Sequence, residues 1–195
     1  MPLFEIHVSV DPEQFMELQA YCATNGMKVL LVKNENGVHK WQLIVTVWVM
    51  RETGQQAVDR ALALAAELKA AQFNVLRTKV EFELNDSKIS DELLDRCCYY
   101  EFHIKIPTTD LAKYAEVKKA SEAHQIKWSV LVQSKESLFL PIATIRTKCK
   151  TVEDAVAAKD RFMNMLKTMQ VRVHTKMHQE VCIFDDFEGM DEGWH

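Results

Sequence analysis

The sequence predicts an α+β fold built from two consecutive units, each with the element order β-α-β-β-α-β. The pattern FEIHV at residues 4–8 returns as YEFHI at residues 100–104. A threonine that precedes an alanine-rich helical pattern occurs at position 53 and again at position 151. Strand-like and helix-like periodicities then follow in the same order in both halves. We therefore expect a tandem duplication of ferredoxin-like βαββαβ units with antiparallel sheets.

This repeat divides the chain into three predicted parts. Residues 1–90 form a first ferredoxin-like lobe, residues 97–184 form a second one, and residues 185–195 form an acidic tail. The tail carries five Asp or Glu residues together with Phe187, Met190 and Trp194. Because three large apolar side chains are costly to leave in water, we expect the tail to dock on the body.

In the first lobe, residues 3–10 alternate between apolar and polar side chains, as a half-buried strand does. Asp11 and Pro12 then form a helix start, and Gly26 lies just past the expected helix end. The remaining predicted elements are strand 27–32, a hairpin turn at 34–37, strand 41–49, a helix opened by a Thr53–Gln56 capping box, and strand 75–84.

The second lobe repeats these signals. The predicted elements are strand 100–106, a helix capped by Thr109, strands 128–133 and 138–147, a helix opened by Thr151 and Asp154, and strand 171–183. In both lobes the helices would cover one sheet face and leave the other open, so any site is expected on the open faces or in the loops.

Strand alternation places ionisable side chains on the open faces. Both lobes contribute a Glu-x-His pair from their first strand, and four of the seven histidines fall on these faces. A polar open face is also what any solvated antiparallel sheet would have. The candidate ligand-binding residues are Glu5, His7, Glu101, His103, Lys105, Arg146, Lys148, Lys176, His178 and Glu180.

A basic cluster on the second lobe favours an anionic ligand. Lys105, Arg146, Lys148 and Lys176 would neutralise a phosphate or carboxylate, and His103 and His178 would hydrogen-bond to it. Glu5, His7 and Glu101 would orient the ligand or hold a divalent cation. Catalytic residues and a definite metal-ligand set do not follow from the sequence.

The composition of the chain argues against several other classes of protein. Formal net charge is −4, and only Trp48 is a clear exposed aromatic, so a nucleic-acid partner is not expected. No apolar run approaches the roughly 20 residues of a membrane span. The five cysteines include no CxxC pair, which disfavours a secreted disulfide framework and predicts a cytoplasmic protein.

Two resemblances follow from these motifs. Tyr100-x-x-His103 at a strand start and Asp186 to Gly193-Trp194 resemble a poorly characterised group of bacterial proteins, a likeness that implies no activity. Two such units with charged inward-facing strands are also similar to the triphosphate tunnel (CYTH) proteins, which bind triphosphates inside a barrel. Those open with Glu-x-Glu-x-Lys, whereas residues 5–9 read Glu-x-His-x-Ser and residues 101–105 read Glu-x-His-x-Lys. This resemblance implies anion binding. The second carboxylate of the CYTH motif, which would help hold a divalent metal, is missing from this sequence.

The expected function is binding of a phosphorylated or carboxylated small molecule between the two lobes. If a reaction occurs, metal-dependent phosphohydrolysis is the expected class. The alternative is a non-catalytic interaction or assembly module that uses sheet faces or edges and forms a homodimer. Ile44, Trp48 and Ile142 supply apolar area for it.

Overall fold

A computed structural model describes residues 1–192 except 36, 89, 109, 125, 133–139, 149–150 and 176, and for residue 188 it describes the backbone alone. Within these residues the eight strands are β1 Leu3–Val10, β2 Lys28–Asn34, β3 Trp41–Met50, β4 Val75–Glu83, β5 Tyr99–Lys105, β6 Lys127–Leu131, β7 Pro141–Thr147 and β8 His178–Asp185. The five α-helices of the described chain are α1 Phe15–Thr24, α2 Gly54–Ala70, α3 Asp91–Leu94, α4 Leu111–Ser121 and α5 Val152–Thr168.

All eight strands belong to one closed antiparallel barrel with the order β1-β3-β2-β6-β7-β5-β8-β4. Two contacts close it across the halves of the chain. Strand β4 pairs with β8, with Phe82 opposite Val181, and β2 pairs with β6, with Val32 opposite Leu131. Closure gives each of these strands a pairing partner on both sides.

The predicted fold class, a tandem duplication of ferredoxin-like units with open sheets, is therefore wrong. The order of strands and helices along the chain was predicted correctly in outline, but that order does not determine how sheet edges pair. An exposed edge presents unpaired backbone N–H and C=O groups. Here those of β2 and β4 pair with strands from the other half, so the faces expected to be open become the inside of a barrel.

The hydrophobic core lies between the helices and the outer surface of the barrel. Phe4, Ile6 and Val8 of β1 point outward into this core and are fully buried. Helix α2 covers β1 and β4, and α5 covers β5 and β7. The buried helical face comprises Ala57, Ala61, Leu64 and Leu68 of α2 and Ala155, Phe162 and Leu166 of α5. Strand alternation therefore sends every second residue into the barrel. Among the described residues, no helix is both long and apolar enough to cross a membrane.

Most of the helix ends that the sequence predicts are found in the structure. Thr53 and Gln56 form a reciprocal capping box at the start of α2, and Gly26 has a positive φ of 65° after α1. Asp11 caps a short 3-10 turn that leads into α1. The predicted cap at residue 109 lies outside the described residues, and Asp110 caps α4 by accepting a hydrogen bond from the Lys113 N–H.

The last strand starts later than residue 171, so that prediction was wrong. Gln170 adopts a positive φ of 57° after α5, and strand β8 begins only at His178. Between them the His174 N–H donates to the Lys105 carbonyl oxygen at 2.8 Å. The segment thus crosses the end of β5 before it pairs alongside it.

The described part of the tail lies against one end of the barrel. Asp186 accepts a hydrogen bond from the Thr78 N–H at 2.7 Å, and the Glu192 carbonyl oxygen accepts one from the Val38 N–H at 3.0 Å. Met190 is buried, whereas Phe187 is 44% exposed. The predicted burial of residue 194 lies outside the described residues.

Candidate functional site

The inward-facing side chains line a cavity of about 230 Å³. Among the described lining residues, every apolar side chain comes from β2, β3, β6 or β7. This apolar wall consists of Leu30, Val32, Ile44, Trp48, Leu131 and Ile142. The opposite wall, here termed the acid–base wall, comes from β1, β4, β5 and β8 and consists of Glu5, His7, Arg77, Lys79, Glu81, Glu101, His103, Lys105, His178 and Glu180.

The order of strands in the barrel explains the two walls. The four strands of the apolar wall are consecutive around the barrel, and so are the four strands of the acid–base wall. Each set draws on both halves of the chain. The separation therefore depends on barrel closure and would not exist in two separate sheets.

His103 is the centre of one acid–base group. Its Nδ1 lies 2.9 Å from Thr144 Oγ1, and its Nε2 lies 3.0 Å from Glu180 and 3.7 Å from Glu101. Burial by itself would lower the pKa of His103, but the Glu180 carboxylate and then Glu101 raise it to about 9. The pKa of Glu180 would likewise rise on burial, but the His103 charge lowers it to about 2. At neutral pH this group holds an imidazolium against a carboxylate.

His7 is the centre of a second group with matching geometry. Its Nδ1 lies 3.1 Å from Thr46 Oγ1, and its Nε2 lies 3.3 Å from Glu81 and 3.6 Å from Glu5. Burial raises the pKa of Glu5, opposed by His7 and reinforced by the neighbouring carboxylates Glu180 and Glu81. The site thus disfavours the charged form of Glu5.

Glu101 connects the acid–base wall to two fixed cations. Lys79 Nζ donates to Glu101 at 2.5 Å, and Arg146 Nε donates to it at 2.6 Å. Burial would raise the pKa of Glu101, but Arg146 and then Lys79 hold it well below its usual range. Glu101 is fully enclosed, so its charge is neutralised by protein groups instead of water.

A further ionic group lies at the end of the barrel that the tail covers. Arg77 Nε donates to Asp185 at 2.8 Å, and the Tyr99 hydroxyl donates to the same carboxylate at 2.6 Å. Asp191 of the tail lies against the guanidinium groups of Arg77 and Arg146. Burial and then the nearby Arg146 lower the pKa of Lys127 to about 8.

The structure brings most of the predicted ligand-binding residues to this one cavity. Those that line it are Glu5, His7, Glu101, His103, Lys105, Arg146, His178 and Glu180. Lys148 is exposed beyond the end of β7, and residue 176 lies outside the described residues. Arg146 is already paired with two carboxylates, so the expected basic cluster is not a set of unneutralised cations. Whether the eight lining residues bind a ligand stays a prediction.

Several lining residues were not among the predicted ligand-binding residues. Arg77, Lys79 and Glu81 alternate along β4, and the same alternation that indicated His7 places them inward. No pattern in the sequence indicates that Asp191 reaches the cavity, since its position depends on how the tail folds back.

One group of side chains has the composition of a metal site. Glu101, His103 and Glu180 each offer a ligand atom, and these atoms lie within 4.8 Å of one another. A divalent cation there would have to compete with Lys79 and Arg146 for Glu101 and with the proton on His103. The donor types suit a transition metal, whereas the surrounding positive charges oppose it.

Comparisons with known proteins identify no family. No family model matches the chain, and no curated protein matches it. Similar solved structures include an unknown protein from Galdieria sulphuraria, with 13% identity and a TM-score of 0.29 over 91% of this chain and 98% of that one. An anthrone oxidase-like protein has 10% identity and a TM-score of 0.32, covering 94% and 92%.

The regulatory subunit of aspartate kinase from Thermus thermophilus, in its ligand-free form, has 13% identity and a TM-score of 0.33, covering 84% and 91%. At these TM-scores the similarities support no argument about fold or function.

Proposed function

We propose that this protein binds a small organic acid inside the barrel. The observation that carries the proposal is the division of the cavity into an apolar wall and an acid–base wall. A ligand with an apolar body and one ionisable end would bury the body against Ile44, Leu131 and Ile142. Its charged end would face the cationic side chains that line the cavity. Ligand pockets commonly combine an apolar lining with a few polar groups that fix orientation.

The volume of the cavity limits the size of the ligand. About 230 Å³ lies below the ~300–1,000 Å³ typical of pockets for drug-sized molecules. A compact aromatic or branched aliphatic acid suits this volume better than a nucleotide does.

The charge of the lining limits the charge of the ligand. The described lining residues include five carboxylates and five Lys or Arg side chains. Because the pKa of His103 is raised to about 9, its imidazolium adds one positive charge at pH 7. A small excess of positive charge favours an anion of low charge, so among phosphorylated and carboxylated ligands we favour a monocarboxylate over a triphosphate.

Metal-dependent phosphohydrolysis is the second candidate, favoured by the convergence of Glu101, His103 and Glu180. The alternative of an assembly module that forms a homodimer through sheet edges has less support, because every described strand pairs on both sides.

We also propose a cytoplasmic location, on the cysteine pattern alone.

The test is a thermal-shift and calorimetric screen at pH 7. Compact aliphatic and aromatic monocarboxylates are compared with their neutral amides, with phosphomonoesters and with tripolyphosphate, each with and without Mn²⁺. We expect monocarboxylates to raise Tm and the matched amides to have little effect. Hydrolysis of a phosphomonoester that requires Mn²⁺ would instead favour the second candidate.

Two variants locate the binding. Ile142→Trp fills the cavity from the apolar wall and should abolish the shift. Leu62→Trp makes a similar enlargement at an exposed position of α2 and should leave the shift unchanged. A screen in which no ligand class changes Tm, or a shift that survives Ile142→Trp, would overturn the proposal.

A further inference from the structure

The tail places one of its own carboxylates in the cavity wall. Asp191 lies in a 3-10 turn, Glu188–Asp191, that follows β8 and is not part of the barrel. Its side chain is only 2% exposed, and it is among the residues that line the cavity. A group outside the strands therefore completes the inner surface at this end of the barrel.

Three barrel side chains hold this carboxylate. Asp191 Oδ1 accepts a hydrogen bond from Gln42 Nε2 at 3.0 Å. Asp191 Oδ2 lies 2.9 Å from Arg77 Nη1 and 2.6 Å from Arg146 Nη2. Neither guanidinium contact has hydrogen-bond geometry, so the carboxylate is held by charge more than by aligned N–H donors.

The three side chains come from separate strands of the barrel. Gln42 is near the start of β3, Arg77 near the start of β4 and Arg146 near the end of β7. Each arginine also pairs with a second carboxylate, Arg77 with Asp185 and Arg146 with Glu101. These second contacts hold the guanidinium groups in place whether or not Asp191 is present.

We propose that Arg77, Arg146 and Gln42 form a carboxylate-binding subsite, filled by Asp191, from which the carboxylate of an external organic acid displaces the tail. The ligand class rests on the proposed function, whereas the subsite itself does not. Because Asp191 is tethered, it competes at a high effective concentration, so an external acid displaces it only when its apolar body also contacts the cavity. Binding would then release the tail contact between Glu192 and Val38.

The subsite is tested by chemical rescue, which uses acetate as the probe and needs no natural ligand. Asp191→Ala leaves two buried guanidinium groups short of one carboxylate and should lower Tm. Sodium acetate, compared with sodium chloride at equal ionic strength, should raise the Tm of this variant by about 3–6 °C at tenfold excess over Kd. Acetamide, which has the same shape without the charge, should have no such effect.

Asp186→Ala is the matched control. It removes a neighbouring tail carboxylate that contacts a backbone N–H and neither arginine, so acetate should raise its Tm no more than that of the wild type. Equal rescue of both variants, or no rescue of Asp191→Ala, overturns the subsite. If Asp191→Ala does not fold in chloride, it is refolded in acetate. Recovery of near-UV circular dichroism supports the subsite, and failure in both salts overturns it.

Displacement of the tail is measured on the wild type by hydrogen exchange at the Val38 amide. A monocarboxylate that raises Tm in the ligand screen should speed this exchange. Unchanged exchange with such a ligand bound would overturn displacement while leaving the proposed function intact. If acetate rescues Asp191→Ala but no ligand in the screen changes the Tm of the wild type, the subsite is supported and the proposed function is rejected.

Discussion

Glu101 lies directly opposite Glu180 across β5 and β8, with both side chains pointing into the barrel. Like charges in such a cross-strand pair destabilise a sheet. His103 Nε2 lies 3.0 Å from one carboxylate and 3.7 Å from the other, and so offsets the repulsion. Glu5 and Glu81 form the same kind of pair across β1 and β4, with His7 beside them. Each histidine thus lies beside two carboxylates that face each other across neighbouring strands.

The first prediction concerns the dependence of stability on pH. The pKa of His103 is raised from 6.5 to about 9 in the folded state, so the folded state binds its proton more tightly. The stabilisation is complete below about pH 6.5 and is lost as pH rises through 9, to a total of about 3 kcal/mol. Urea unfolding at several pH values between 6 and 10 measures this loss.

His103→Gln should flatten this part of the stability profile. His124→Gln, which removes an imidazole packed against Phe162 outside the barrel, controls for the loss of a histidine as such. At acid pH the same pair predicts a second loss of stability. The pKa of Glu180 is lowered to about 2 in the folded state, so the free energy of unfolding should fall as pH drops from 4.5 through 2. An unaltered slope in His103→Gln would show that the His103–Glu180 pair does not contribute.

The second prediction contrasts two glutamates in matching strand positions. Glu101 lies opposite Arg146, whereas Glu5 lies opposite Trp48. Glu101→Gln leaves Lys79 and Arg146 short of a buried partner and should cost about 3–5 kcal/mol. Burial raises the pKa of Glu5, so at pH 7 its charge opposes folding, and Glu5→Gln should be neutral or stabilising. Chemical denaturation at pH 7 measures the free energy of unfolding of both variants. Equal losses of stability would contradict the different charge environments described for Glu101 and Glu5.

The third prediction concerns the start of α2. Thr53 Oγ1 accepts a hydrogen bond from the Gln56 N–H, and Gln56 Oε1 accepts one from the Thr53 N–H. Thr53→Ala should therefore cost about 0.5–2 kcal/mol without altering ligand binding. Thr24→Ala, at an exposed position in the last turn of α1, is the matched control and should cost less. A Thr53→Ala variant as stable as the wild type would exclude a role for the cap.

Local sequence determined the elements and the faces on which their residues lie. Period-two alternation over residues 3–10 places Phe4, Ile6 and Val8 toward the helices and Glu5 and His7 away from them, and this holds in the structure. Alternation is a property of the extended backbone, so it can be recognised in the sequence without knowing how the strands pair. The same alternation along β4 places Arg77, Lys79 and Glu81 on that face.

Tertiary structure decided what those faces enclose. The pairing of β4 with β8 and of β2 with β6 joins strands distant in sequence, and backbone hydrogen bonds leave little trace in side-chain identity. That closure turned two expected open sheets into one barrel and placed the apolar wall opposite the acid–base wall. It also made Arg146 a partner of Glu101 and Asp191 instead of an unneutralised cation. Charges in a low-dielectric interior are governed by their nearest neighbours, and only the folded chain determines which residues those are.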